Sequence, residues 1–238
     1  AAPHGYHRAL LKISGEAFAG DKDFGLNGEK ISWIAREIIS AAEDGRRIGV
    51  VVGGGNIMRG VDANSIGVDP LVGDEMGMVA TVINALALKS TLESQGCKCK
   101  VMSSFEIAQF VDAFSMGSLM TALEQNEVII FAGGTGNPCF TTDSAAALRA
   151  VQMRADVMIK ATQVDGVYDK DPKQFSDARR FESISAEETL RRRLGVLDVT
   201  SVEILARYSI PTVVLNLHVQ GNIARALIGE KIGTMIVV

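Results

Sequence analysis

Short apolar runs alternate along the chain with segments in which apolar residues recur every three or four positions. Runs of the first kind have the length of buried β-strands, and segments of the second kind have the spacing of amphipathic helices. Their regular alternation predicts an α/β protein in which helices cover both faces of a mainly parallel sheet. The predicted strands are residues 8–13, 47–52, 98–102, 128–132, 157–161, 212–217 and 234–238.

Capping residues and glycines mark the ends of the predicted helices. Asn27 is predicted to cap a helix with an apolar stripe that ends at Gly45, and Ser185 with Glu188 has the spacing of a capping box. The other predicted helices are residues 70–96, 115–125, 143–154 and 199–208. Because no linker or low-complexity stretch interrupts the pattern, residues 1–238 are predicted to form one domain.

The sequence predicts neither a membrane span nor an exported protein. The longest mainly apolar segment, residues 76–88, is interrupted by Thr81 and Asn84 and is shorter than the ~20 residues of a membrane span, so it predicts a buried helix. Residues 1–7 lack the basic and apolar regions of a signal peptide. The three cysteines are not spaced as a disulfide framework or a zinc site. We therefore expect a cytoplasmic protein with no membrane partner.

Charge and glycine content narrow the class of ligand. The formal charge of −4 argues against a non-specific nucleic-acid coat, which needs a basic surface, so we expect no nucleic-acid partner. Small anions can still bind at local sites. Glycine accounts for 24 of the 238 residues, or about 10%, whereas ~7% is usual. Many of these glycines follow predicted strands.

Glycines and polar side chains at strand ends predict a ligand site, because α/β sheets bind ligands at the carboxyl edge of their strands. The first strand ends in Lys12, Ser14 and Gly15, which could hold a phosphate or simply close a turn. Residues 53–56 follow the second strand, with Arg59 nearby, and three consecutive glycines favour a ligand over a plain turn. Neither segment matches the Walker or the dinucleotide-binding glycine motif.

A second glycine-rich segment, residues 133–138, follows the fourth strand and precedes a predicted helix. Thr141 and Thr142 lie at the start of that helix, where unpaired N–H groups favour a phosphate. Asp143 is either an ordinary acid of a first helical turn or a residue that orients catalytic lysines. Lys160 ends a buried strand, where an unpaired ammonium is costly, and this favours a functional role.

Lys12, Arg59 and Lys160 thus lie at the ends of separate strands, close to two glycine segments. This combination suits phosphoryl transfer, which is catalysed mainly by positioning and by cations that neutralise the transferred group. No histidine lies beside a plausible nucleophile, so no hydrolytic triad competes with this interpretation.

Four longer motifs make the sequence resemble the amino acid kinase family and, within it, the bacterial uridylate kinases. They are residues 53–60 (GGGNIMRG), 73–78 (GDEMGM), 135–143 (TGNPCFTTD) and 160–168 (KATQVDGVY). The resemblance covers nearly the whole chain and implies a three-layer α/β/α sandwich. It also implies that a cytoplasmic homohexamer converts UMP to UDP with ATP and Mg²⁺, for pyrimidine nucleotide synthesis.

The resemblance also implies roles for individual residues. Lys12 and Lys160 would contact the transferred phosphoryl group, Asp143 would orient both lysines, and Arg59 would complete the catalytic set. The residues implied for UMP are Gly54, Asp74, Thr135, Gly136, Asn137, Pro138, Cys139, Phe140, Thr141 and Thr142. The residues implied for ATP are Lys12, Ile13, Ser14, Gly15, Gly55, Arg59, Thr162, Tyr168 and Asp171. No side chain is implied as a metal ligand.

A regulatory segment is implied in the same way. Many members of the family place a segment linked to activation by GTP at the position of Gly20, Asp21, Lys22, Asp23, Phe24 and Gly25. UTP is a common feedback inhibitor among them. By this resemblance we expect GTP as an activator and UTP as an inhibitor.

Two other functions stay open at this point. An amino-acid or carbamate kinase of the same fold would share the ATP half but should lack the paired motifs at residues 73–78 and 135–142. A nucleotide-binding regulator without catalytic activity would bind UMP and ATP but would form no UDP.

Overall fold

The predicted strands lie side by side in one sheet. The computed structural model describes residues 5–58, 66–172 and 174–238, and in this part of the chain the sheet has nine strands. They are β1 (Arg8–Ile13), β2 (Arg47–Val52), β3 (Cys99–Ser103), β4 (Asp112–Ala113), β5 (Val128–Ala132), β6 (Val157–Thr162), β7 (Ser183–Ser185), β8 (Thr212–Asn216) and β9 (Thr234–Val237). All seven predicted strands are confirmed to within one residue at each end. The sequence pattern misses β4 and β7 because two or three residues are too few to show a period.

The strand order is β4-β3-β5-β2-β1-β6-β8-β9-β7. Among the paired strands of the described residues, only β8 and β9 run antiparallel, which confirms the mainly parallel sheet. Parallel neighbours require long crossover connections, and helices supply most of them. This order places β1 and β6 next to each other at the centre of the sheet, so that their carboxyl ends open at one edge.

Helices cover both faces of the sheet, as the sequence predicts. In the described residues they are α1 (Glu16–Ala19), α2 (Gly28–Ala42), α3 (Pro70–Ser94), α4 (Met116–Glu124), α5 (Thr142–Gln152), α6 (Ala186–Arg191), α7 (Val199–Arg207) and α8 (Asn222–Leu227). Helices α1, α2, α3 and α8 bury their apolar residues on one face of the sheet, and α4 to α7 bury theirs on the other. The three-layer α/β/α sandwich is therefore confirmed.

Helix α2 shows how the sequence builds one of these layers. The Asn27 side chain accepts hydrogen bonds from the N–H groups of Glu29 (3.0 Å) and Lys30 (3.3 Å), so the predicted cap is confirmed. Ile34 and Ile38 lie one turn apart on the face of the helix that packs on the sheet, and both are buried. Burying a side chain of this size contributes about 1.5–3 kcal/mol, which explains the position of the apolar stripe.

Helix α3 is longer than its apolar segment. With 25 residues and a mean hydropathy of 1.4 over its most apolar window, it is long and apolar enough to cross a membrane by length and composition. It nevertheless belongs to one layer of the sandwich, where Ala85, Leu88 and Leu92 are fully buried. The prediction of a buried helix is therefore confirmed for one face, although Val79 and Ile83 are exposed on the other.

The alternation of side chains along β1 and β6 decides where two lysines point. Leu11 packs in the layer of α2 and α3, whereas Leu10 packs in the layer of α5, and Lys12 shares the side of Leu10. Met158 belongs to the layer of α5 as well, so Lys160, two residues later, points to the same side. The register of the two strands pairs Lys12 directly with Lys160.

Candidate active site

Two lysines and one aspartate meet at the carboxyl ends of β1 and β6. Asp143 lies in the first turn of α5, which packs over that side of the sheet. Lys12 Nζ lies 2.9 Å from Asp143 Oδ1, and Lys160 Nζ lies 2.6 Å from Asp143 Oδ2. All three side chains are at least 86% buried. The structure thus brings together three of the four residues expected to be catalytic, whereas Arg59 lies outside the described residues.

Burial and ion pairing oppose each other in this cluster. Burial by itself raises the pKa of Asp143, whereas the positive charges of Lys12 and Lys160 lower it. The effect of the two lysines together is larger, so the pKa lies below its ordinary value and the carboxylate stays ionised. Burial lowers the pKa of Lys160, Asp143 partly restores it, and Lys12 lowers it again. Lys160 therefore loses its proton at a lower pH than an ordinary lysine does.

A first cleft of about 290 Å³ opens on the Lys12 side of this cluster. Four segments line it: the end of β1, the glycine turn after β2, the N-terminal half of α3, and the loop before α5. The expected site residues that line it are Lys12, Ser14, Gly15, Gly54, Gly55, Asp74, Asn137, Phe140, Thr141 and Thr142. Thr135, Gly136, Pro138 and Cys139 belong to the same loop but do not line the cleft, and Ile13 is a fully buried core residue.

The glycines of this cleft are needed for close packing. A Cβ atom on Gly15 would lie 2.5 Å from the backbone nitrogen of Gly55, and one on Gly54 would lie 2.7 Å from the carbonyl oxygen of Gly77 in α3. Such distances are far inside van der Waals contact. The sequence left open whether these glycines serve a ligand or a tight turn, and the structure is compatible with both roles. The same glycines allow two loops and a helix to pack closely, and they line the cleft.

The loop of residues 133–141, here called the 133–141 loop, is fixed at both ends. The N–H of Gly133 donates to Thr81 Oγ1 at 2.7 Å, and the N–H of Cys139 donates to Asp74 Oδ2 at 2.8 Å. At the end of the loop, Thr141 caps α5 by accepting a hydrogen bond from the N–H of Asp143 at 3.0 Å. The loop therefore delivers the N-terminus of α5, with its positive end of the helix dipole, to the cleft.

A second cleft of about 550 Å³ opens on the Lys160 side. Thr162, Tyr168 and Asp171 line it, as expected for residues of one ligand site. The Tyr168 hydroxyl donates to Asp165 Oδ1 at 2.8 Å, and this hydrogen bond is the main reason why the pKa of Tyr168 is raised. The cluster of Lys12, Asp143 and Lys160 thus lies where the two clefts meet, with one lysine in the lining of each.

The structure adds two residues that the sequence patterns do not single out. Asp198 caps α7 and also accepts hydrogen bonds from the hydroxyls of Thr141 and Ser144, so it braces the start of α5. Its position just before a helix is a capping signal, but only the fold shows what else it contacts. Arg193 lies two residues beyond the end of α6, is exposed, and lines the second cleft.

The segment expected to be regulatory lies beside the first cleft. Gly20 ends α1 with a φ of 65°, and the next four residues are exposed, with Phe24 at 77%. Gly25 donates its N–H to the carbonyl of Asn56 at 2.7 Å and accepts from the Asn56 side chain at 2.8 Å. The segment is therefore joined directly to the glycine turn that lines the cleft.

Each of the two clefts is lined by one of the two lysines that pair with Asp143. This arrangement defines a site at which an anionic group can pass from a molecule in one cleft to a molecule in the other. The chain belongs to the amino acid kinase family, because the family's model matches residues 7–216.

The relatives and solved structures to which the chain is similar include uridylate kinases and UMP kinases. A uridylate kinase of Xanthomonas campestris pv. campestris is 45% identical over 231 residues, which cover 97% of this chain and 96% of the relative. The structure of a UMP kinase from Bacillus anthracis superposes with a TM-score of 0.95 at 32% identity and covers 98% of this chain and 96% of that chain. A UMP kinase from Ureaplasma parvum gives a TM-score of 0.92 at 33% identity, with 97% and 98% covered.

Proposed function

We propose that this protein transfers the γ-phosphoryl group of ATP to UMP and forms ADP and UDP, a step of pyrimidine nucleotide synthesis. The observation that carries the proposal is the sharing of Asp143 by Lys12 of the first cleft and Lys160 of the second. The similarity to uridylate kinases and UMP kinases along nearly the whole chain supports UMP as the acceptor.

UMP occupies the first cleft in this proposal. Asp74 accepts hydrogen bonds from the ribose hydroxyls, and the N-terminus of α5 with Thr142 receives the phosphate. Arg59 contributes a further cation to that phosphate. The other residues assigned to UMP are Gly54, Thr135, Gly136, Asn137, Pro138, Cys139, Phe140 and Thr141.

ATP occupies the second cleft, with its base and ribose near Thr162, Tyr168 and Asp171. Its phosphates reach Lys12, Ser14, Gly15 and Gly55 at the junction of the clefts, next to the backbone of Ile13. The N-terminal part of the single domain thus serves mainly UMP and the C-terminal part mainly ATP. The 133–141 loop is the exception, since it lies late in the chain but lines the first cleft.

The reaction needs no general base, because the attacking oxygen of UMP belongs to an ionised phosphate. This oxygen forms a bond to the γ-phosphorus while the bond to the β–γ bridging oxygen breaks, and ADP leaves with that electron pair. Lys12 and Lys160 neutralise the charge of the transferred group, and Asp143 keeps both ammonium groups aimed at it.

Mg²⁺ enters the proposal as a companion of ATP. The described residues contain no group of three or more His, Cys, Asp or Glu side chains that could hold a metal, and both oxygens of Asp143 contact lysines. This donor set fits a metal that binds through substrate phosphates and water, as Mg²⁺ usually does. When bound there, Mg²⁺ neutralises phosphate charge.

Three further properties belong to the same proposal: a homohexamer, a cytoplasmic location, and control by GTP as activator and UTP as inhibitor. Exposed apolar side chains on α3, at Leu71, Val79 and Ile83, support burial against another copy of the chain. The two hydrogen bonds between Gly25 and Asn56 give residues 20–25 a direct connection to the first cleft. A monomeric mass in solution, measured by light scattering, would contradict the proposed hexamer.

The test is a coupled assay of ADP and UDP release with ATP and Mg²⁺. UMP, CMP, dUMP, glutamate and aspartate are offered in parallel, each with and without GTP. We expect turnover with UMP. Turnover with an amino acid instead would contradict UMP as the substrate but would be compatible with the fold. UMP binding without UDP formation would indicate a regulator without catalytic activity.

A further inference from the structure

A buried arginine on α5, Arg149, has no acidic partner among the residues that the structure describes. Arg149 is 4% exposed, and no carboxylate in the described part of the chain forms an ion pair with it. Its guanidinium instead lies 3.8 Å from the ring centroid of Phe114 and 5.5 Å from that of Phe131. Burial lowers the pKa of Arg149 to about 10. A charge buried without a counter-ion is costly, so its remaining contacts are informative.

Arg149 Nη1 donates to Gln152 Oε1 of the same helix at 2.6 Å, and Nη2 begins a directed chain of hydrogen bonds that ends in the first cleft. Arg149 Nη2 donates to Ser104 Oγ at 2.7 Å, and Ser104 Oγ donates to the carbonyl oxygen of Gly134 at 2.7 Å. A serine hydroxyl has one proton, and the other carbonyl within reach, that of Ala132, is farther away at 3.3 Å. The proton therefore points to Gly134, which lines the cleft. A cationic donor at the start of the chain polarises and strengthens it.

The 133–141 loop needs an anchor at this point. Gly133, Gly134 and Gly136 all have positive φ values, of 77°, 55° and 80°, so the backbone here has little intrinsic preference for the observed path. Hydrogen bonds to Thr81 and Asp74 fix its two ends. Ser104 fixes the stretch between them, and the planar guanidinium, held against two aromatic rings, fixes the serine hydroxyl.

We propose that Arg149 is a positioning residue that acts through Ser104 to hold Gly134 in place for the ligand of the first cleft. The identity of that ligand as UMP rests on the proposed function. Because the 133–141 loop lines the first cleft and not the second, the effect is confined to one substrate.

The first test uses Ser104→Ala, which removes only a hydroxyl, and Arg149→Lys, which keeps the charge but loses the planar fork. Loss of one such hydrogen bond corresponds to a rise in KM for UMP of about fivefold. KM for ATP stays at the wild-type value. Arg154→Lys is the matched control, since Arg154 is an exposed arginine just beyond the same helix and should change neither constant. An unchanged KM for UMP in Ser104→Ala, or an equal rise in both constants, overturns the proposal.

A second measurement does not depend on the substrate. Amide hydrogen exchange of residues 133–141 in the ligand-free protein should be faster in Ser104→Ala and in Arg149→Lys, and unchanged in Arg154→Lys. If wild-type protein fails to phosphorylate UMP but this exchange pattern is found, the proposed function fails and the positioning role stands. Wild-type exchange in Ser104→Ala overturns the positioning role, whether or not Arg149→Lys folds.

Discussion

Replacing Asp143 by Asn tests the centre of the proposed mechanism. The change keeps the shape of the side chain but removes the negative charge that lies 2.9 Å from Lys12 Nζ and 2.6 Å from Lys160 Nζ. The two ammonium groups then face each other in a buried site without the carboxylate that pairs with both of them. Removing one member of a buried ion pair costs about 3–5 kcal/mol. This is a large share of the roughly 5–15 kcal/mol that separates folded from unfolded protein.

Two quantities should change in Asp143→Asn. A loss of about 3 kcal/mol corresponds to a fall in Tm of roughly 6–12 °C for a chain of this size. Displacement of the two lysines by about an ångström should lower kcat by about a hundredfold. The assays are thermal unfolding followed by circular dichroism and steady-state kcat at saturating UMP and ATP. The kcat measurement is made well below the Tm of the variant.

Asp44→Asn is the matched control, because it removes a carboxylate from a surface pair with Arg46 in which the Asp44 side chain is 79% exposed. Exposed pairs contribute about 0–1 kcal/mol, so Tm should change little and kcat not at all. A near-normal kcat in folded Asp143→Asn would show that this carboxylate does not orient the two lysines.

The contribution of Asp143 to the stability of the fold should depend on pH. The pKa of Asp143 is lowered, so this contribution is present above the ordinary value of 3.8 and is lost as the pH falls through the pKa of the folded protein.

Three further outcomes are expected. Asp74→Asn should raise KM for UMP about tenfold while KM for ATP stays constant, because the hydroxyl acceptor loses its charge; equal KM values for UMP would exclude that role. Since the pKa of Lys160 is lowered, kcat should fall at a pH below the ordinary lysine value of 10.5, and Lys160→Arg should move this alkaline limb upward; an unmoved limb assigns it to another group. Arg193→Gln should raise KM for ATP by up to about fivefold whereas Arg191→Gln should not, because Arg193 lines the second cleft and Arg191 does not; equal effects would indicate general surface charge.

The strands and the main helices could be predicted because their signals are local. The apolar stripe of α2 and its Asn27 cap lie within a few turns of chain, and the runs that become β1 and β6 are apolar along their whole length. An element of one or two periods repeats too few times to show an apolar pattern, unless a capping side chain marks its start. Strand β4, with two residues, and helix α8, with six, therefore had to come from the structure.

The candidate site was predictable as a set of segments but not as contacts. The four motifs identified the glycine turns, Lys160 and the start of α5, and the end of the first predicted strand supplied Lys12. The structure places all of these at one edge of the sheet. The two interpretations of Asp143, an ordinary helix-start acid or a partner of lysines, could be separated only by distance. Asp198 and Arg149 illustrate the same limit, because their residue types are common in helices and their partners are remote in sequence.

The order of the main strands and helices, the α/β class and the membership of the amino acid kinase family follow from the sequence, because periodicity and motif spacing are properties of neighbouring residues. That Lys12 and Lys160 share Asp143 is visible only in the folded chain. That contact depends on strand register, on the side to which alternate side chains point, and on the packing of α5 over that side. These quantities arise only when distant parts of the chain bury their apolar faces against one sheet.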